Sequence, residues 1–164
     1  MKKILVMSDS HGGTAFMRRC VKEFRPDAMI HLGDFHEDGM QIQAEFPHIP
    51  MIQVPGNCDH YRYLGPDPEI RCHNVCSVRL YMTHGHRHNV KLTRSLLIRD
   101  ARELGAQAAL YGHSHQADCY QTEDGLWVLN PGASGHYGGS VGLMEVEDGK
   151  ILSCQILTDA DIPY

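Results

Sequence analysis

Five short apolar runs each stop abruptly at a polar cluster beside glycine, and this repeated event restricts the fold more than any other feature. Ile4–Met7 stops at Ser8-Asp9-Ser10-His11-Gly12-Gly13, and Ala28–Leu32 stops at Gly33-Asp34. Met51–Val54 runs into Pro55-Gly56-Asn57-Cys58-Asp59, Val78–Met82 leads to His84-Gly85-His86, and Ala108–Tyr111 to Gly112-His113-Ser114-His115. Short apolar runs closed by glycine read as buried strands of a sheet covered on both faces. Helices are expected between them: Ala15–Phe24 after Thr14 as N-cap, a short one over Gln41–Phe46, and Leu92–Leu104 closed by Gly105. Residues 67–73 read as turn-rich. After Asp118 the pattern changes to strands and tight turns, with Asp-Gly hairpin signals at 124–125 and 148–149.

Alternating strands and helices in the first two-thirds imply a largely parallel sheet. The all-β final third is expected to pack on it as a second sheet. The fold class is therefore α/β: a four-layer α/β/β/α sandwich of two mixed β-sheets flanked by helices, in a single domain over 1–164. Loops at the carboxyl ends of parallel strands gather on one edge, so all five polar stops are expected to meet there.

The 164 residues, 42% hydrophobic and 21% charged, suit a globular chain with a real core. A net charge of -5 argues against an extended nucleic-acid surface. Met1-Lys2-Lys3 precedes an apolar run too short for a signal peptide, and nothing approaches a membrane span. The expected location is the cytoplasm, where six dispersed cysteines are reduced thiols.

Single motifs carry little weight in a chain with twelve histidines, because chance alone gives about one Asp-x-His pair. Placement carries more. Asp9, His11, Asp34, Asn57, His84, His113 and His115 each follow an expected strand, mostly beside glycine. Two carboxylates, an amide oxygen and four imidazoles are too many for one cation and suit two, about 3.5–4 Å apart. A mixed oxygen and nitrogen set without thiolate favours manganese, with iron, nickel or zinc as alternatives. Two such ions leave the site at about +2, which attracts an anionic substrate and makes hydroxide available at neutral pH.

Asp9-x-His11, Gly33-Asp34, Gly56-Asn57-x-Asp59, His84-Gly85-His86 and Gly112-His113-x-His115 resemble, in order, the calcineurin-like metallophosphoesterase superfamily. The short length, Gly-Asn-Cys-Asp and Asn130-Pro131-Gly132 resemble its small bacterial and archaeal phosphodiesterase branch, over residues 1–157. The resemblance implies a dinuclear centre, with one metal on Asp9, His11 and His115, the other on Asn57, His84 and His113, and Asp34 bridging. Asp34, Asn57, Asp59 and His86 are the candidate catalytic residues. Many relatives carry histidine directly after the motif's Asn, as a general acid or a phosphoryl-binding group; this chain has Cys58, with His86, His36 or metal-bound water as substitutes.

The reading is a metal-dependent phosphodiesterase acting by in-line attack on a small phosphodiester, without a membrane partner and with homo-oligomerisation left open. The alternatives are a phosphomonoesterase or nucleotide pyrophosphatase with the same site, and a non-catalytic scaffold resembling the retromer subunit of this fold. Substrate walls are expected from loops 61–69 and 136–142.

Overall fold

The computed structural model describes residues 1–59, 67–135 and 138–164. Ten strands form two five-stranded mixed sheets. The first has the order β10-β9-β1-β2-β3, built from β1 (Lys2–Met7), β2 (Ala28–His31), β3 (Met51–Gln53), β9 (Ser140–Glu147) and β10 (Lys150–Thr158). The second has the order β4-β5-β6-β8-β7, from β4 (Ile70–Val75), β5 (Val78–Thr83), β6 (Ala108–Leu110), β7 (Asp118–Gln121) and β8 (Trp127–Asn130). Helices α1 (Thr14–Phe24) and α2 (His36–Glu45) cover the first sheet and α3 (Ser95–Glu103) the second.

Strand alternation builds the four layers. Along β1, Ile4 and Val6 face the second sheet and meet Leu80, Met82 and Leu110, while Leu5 and Met7 face Phe16, Met17 and Ile42 of the helices. On the other side Tyr81, Ala109 and Val128 pack on Leu97 and Ala101 of α3. The expected α/β/β/α sandwich is what forms.

The assignment of strands to sheets differs from the sequence reading. The final third does not make a sheet of its own. β8 continues the second sheet parallel to β6, and β7 closes it, whereas β9 returns to pair antiparallel with β1. The parallel strands are correspondingly divided, β1-β2-β3 in one sheet and β5-β6-β8 in the other.

Three local expectations also change. The stretch read as turns contains β4, joined to β5 by a two-residue turn in which Cys76 and Ser77 have φ 50° and 69°. That is the geometry normally given to Asn-Gly, so the residue types conceal the hairpin. Helix α2 starts five residues early, at His36, and passes through Gly39, where a Cβ would lie 2.4 Å from Gln53 Oε1 and displace the end of that side chain. Helix α3 starts at Ser95 rather than Leu92 and ends as expected on Gly105, with Ala106 N–H donating to Ala101 O and Gly105 N–H to Arg102 O.

Candidate metal centre

The loops that leave β1, β2, β5 and β6 are tied together at one end of the sandwich. Asp9 N–H donates to Gly33 O, Ser134 N–H to Ser8 O and Gly112 N–H to His84 O, at 2.8–2.9 Å. Asp9 is buried; its Oδ2 accepts from the Ser8 hydroxyl at 2.6 Å and from His113 N–H at 3.1 Å. Such an approach needs Gly112, because a Cβ there would lie 2.2 Å from Ser8 Oγ and 2.7 Å from Asp9 Oδ2. Behind the loop, Gly33 N–H donates to His31 Nδ1, which leaves the His31 Nε2 proton for Ser10 Oγ. Ser10 in turn donates to Asp38 Oδ2, which also accepts Gly12 N–H. This chain fixes the turn on which Asp9 and His11 stand.

Asp34 is held from two directions. Its Oδ1 accepts Cys58 N–H at 2.9 Å, and its own N–H donates to Asp59 Oδ2. Asp59, a candidate catalytic residue by sequence, lies under the site with no exposed surface. Its oxygens are occupied by the N–H groups of Asp34, Gly56 and His36, so it positions the turn and has no free face for substrate. Asn57 is exposed on the same 3-10 turn, Asn57–Asp59.

The acceptors converge. His84 is fully buried, and its Nδ1 lies 2.8 Å from Leu32 O. A carbonyl only accepts, so Nδ1 carries a proton and Nε2 is the atom turned inward. Nε2 faces His113 Nδ1 at 3.2 Å, Asp34 Oδ2 at 3.6 Å and Asp9 Oδ1 at 3.8 Å. Asp9 Oδ1 is buried without a hydrogen bond, and His115 Nε2 lies 3.1 Å from it. Ligand atoms of Asp9, His11, Asp34 and His115 all lie within 4.8 Å of one another. Two carboxylates and the ring nitrogens of His84, His113 and His115 therefore converge on one point, a mixed oxygen and nitrogen set. The donor set thus fits divalent metal.

Electrostatics agree. Burial pushes the Asp9 carboxyl up, with His84 opposing, whereas at Asp34 burial is outweighed by His84 and the Cys58 N–H, and the carboxyl falls. His113 is pushed down to about 4 by burial and then by His84. It is therefore neutral at pH 7. His86 borders this group, its ring 5.6 Å from His84 and 6.2 Å from His113. Its Nε2 lies 3.7 Å from Glu69 Oε1, a neighbour with no signal in the sequence. His36 is buried against Asp59 and Asp67 and does not border the cluster. His31 is a core residue that also supports the site loop. Of the two wall loops, residues 61–66 and 136–137 lie outside the described residues.

The family profile described as "Calcineurin-like phosphoesterase superfamily domain" matches residues 1–149. A Bacillus subtilis protein named probable metallophosphoesterase YsnB is 33% identical over 133 residues, covering 79% of this chain and 73% of its own. A probable metallophosphoesterase of Mycoplasma pneumoniae is 33% identical over 136 residues, covering 81% and 79%. Among solved structures, a Streptococcus pneumoniae protein described as a predicted phosphoesterase superposes with a TM-score of 0.78 at 26% identity, over 99% of this chain and 92% of that one. Vps29 of Entamoeba histolytica shares the fold at 18% identity, with a TM-score of 0.72 over 95% and 98% of the two chains. By profile, by relatives and by the acidic and histidine loops at one end of its sandwich, the chain belongs to the calcineurin-like phosphoesterase superfamily.

Proposed function

We propose that the chain is a metal-dependent phosphodiesterase whose two divalent ions, manganese foremost, are held by Asp9, His11 and His115 on one side and Asn57, His84 and His113 on the other, with Asp34 between. Metal-dependent phosphoester hydrolysis comes with the family; the diester and the dinuclear centre are the proposal. The observation that carries it is the convergence of His84 Nε2 on His113 Nδ1, Asp34 Oδ2 and Asp9 Oδ1, beside His115 Nε2 on Asp9 Oδ1. Bound there, two divalent ions supply Lewis acidity toward a phosphoryl oxygen and lower the pKa of water.

The chain's own residues do the rest. Ser8, Cys58 N–H and Leu32 O orient Asp9, Asp34 and His84. Cys58 is exposed beside Asp34, and burial followed by the Asp34 charge pushes its thiol up, so it is a poor acid at neutral pH. His86 is held below its ordinary value by burial and by His84, so it is neutral there. With no strong proton donor beside the cluster among the described residues, esters with good leaving groups are the favoured substrates.

Rates on bis-(p-nitrophenyl) phosphate and p-nitrophenyl phosphate with Mn²⁺ test the proposal. A faster diester is expected. A faster monoester would make the chain a phosphomonoesterase, and no turnover of either with Mn²⁺, Fe²⁺, Ni²⁺ or Zn²⁺ would favour a scaffold.

A further inference from the structure

The sandwich has two edges where its sheets end side by side. At one, β3 and β4 are bridged by Arg71 Nε donating to Gln53 O at 2.8 Å. At the other, β7 and β10 are bridged by cysteines: the Cys119 thiol on β7 lies 3.4 Å from the carbonyl oxygen of Cys154 on β10. The two thiols also act on one another: Cys154 pulls the Cys119 thiol down and Cys119 pushes the Cys154 thiol up. Both residues are half-buried and pack against the rim of the inter-sheet core.

We infer that Cys119 and Cys154 are a disulfide site, and that a low-molecular-weight disulfide cross-links the two sheets there. Cys154 is held protonated by Cys119 beside it and by burial, and its S–H lowers the Cys119 thiol. Cys119 is therefore the first nucleophile. Its thiolate attacks one sulfur of the reagent R–S–S–R, the S–S bond breaks, and RS⁻ leaves with a proton taken from solvent. Capping removes the Cys119 partner that kept Cys154 protonated. Cys154 then loses its proton to solvent, attacks Cys119 Sγ and expels the second RS⁻. Two protein thiols and one small disulfide become one protein disulfide and two small thiols.

The bond joins residues 35 apart in sequence. Closing that loop in the unfolded chain is expected to raise the melting temperature by about 10 °C.

The full chain is equilibrated with oxidised glutathione, alkylated, cut with trypsin and mapped by mass spectrometry, with thermal unfolding in parallel. Cleavage after Arg102 and Lys150 leaves Cys119 alone in 103–150 and Cys154 alone in 151–164, so the cross-linked pair is unambiguous. The expected result is that pair in the wild type, a melting temperature about 10 °C higher, and loss of both in Cys119→Ala. Free or glutathione-capped cysteines at equilibrium would overturn the inference, as would a cross-link that leaves the melting temperature unchanged or lower. The wild-type map decides even if the variant folds poorly, and neither readout depends on phosphoesterase activity.

Discussion

Asp9, His11, Asp34, His113 and His115 have φ of 53°, 47°, 61°, 72° and 62°, the left-handed region that side chains other than glycine's rarely occupy. Each costs about 1 kcal/mol, somewhat less for Asp, and they fall on five of the seven proposed ligands. Strain gathered on one set of side chains that converge on one point marks a site held together for function. The consequence can be measured at His115, which is half exposed and contributes little to the core. Replacing it with glycine relieves the backbone, so His115→Gly is expected to stabilise the metal-free chain by about 1 kcal/mol while weakening metal binding. Chemical denaturation of both proteins in chelator checks the sign. A destabilised variant would mean that the left-handed turn carries no strain.

Turns explain what could and could not be read at the scale of elements. The β9–β10 turn has Asp148 and Gly149 at φ 52° and 74°, and its sequence announced it. The β4–β5 turn has the same conformation with Cys76 and Ser77, residue types that carry no turn signal. Ser77→Gly is expected to stabilise the chain by about 0.5–1 kcal/mol, read as a shifted denaturation midpoint with unchanged slope. The five polar stops were legible because apolar runs ending beside glycine have few other uses. What supports them was not, since Ser10, His31 and Asp38 come from three elements and meet only through the fold. Asp59 likewise shares a motif with Asn57, and only its three N–H partners assign it to support. His31 gives this network a pH signature. Burial pushes its value down to about 4, from about 6.5 in the unfolded chain. The unfolded chain therefore takes up the proton first as pH falls. Stability is full above about pH 6.5 and falls by roughly 3 kcal/mol on the way to pH 4. Denaturation across that window should fall less steeply in His31→Gln; equal slopes would remove His31 as the cause.

The whole molecule puts its chemistry at the seam between two sheets. Asp9 and Asp34 leave the first sheet, His84 and His113 the second, and Gly112 N–H to His84 O and His113 N–H to Asp9 close the seam. None of the proposed ligands belongs to the three apolar clusters that hold the layers together. Chelation is therefore expected to abolish activity and lower the melting temperature by a few degrees, while the far-UV circular dichroism stays folded. Collapse of that spectrum on chelation would mean that metal holds the sheets together. The most direct test of the dinuclear centre is elemental analysis of Mn²⁺ retained after reconstitution and desalting, in the wild type and in His113→Ala. The expected result is about two ions per chain in the wild type and about one in the variant. A wild-type chain that retains no metal, or a variant with undiminished content, would contradict it.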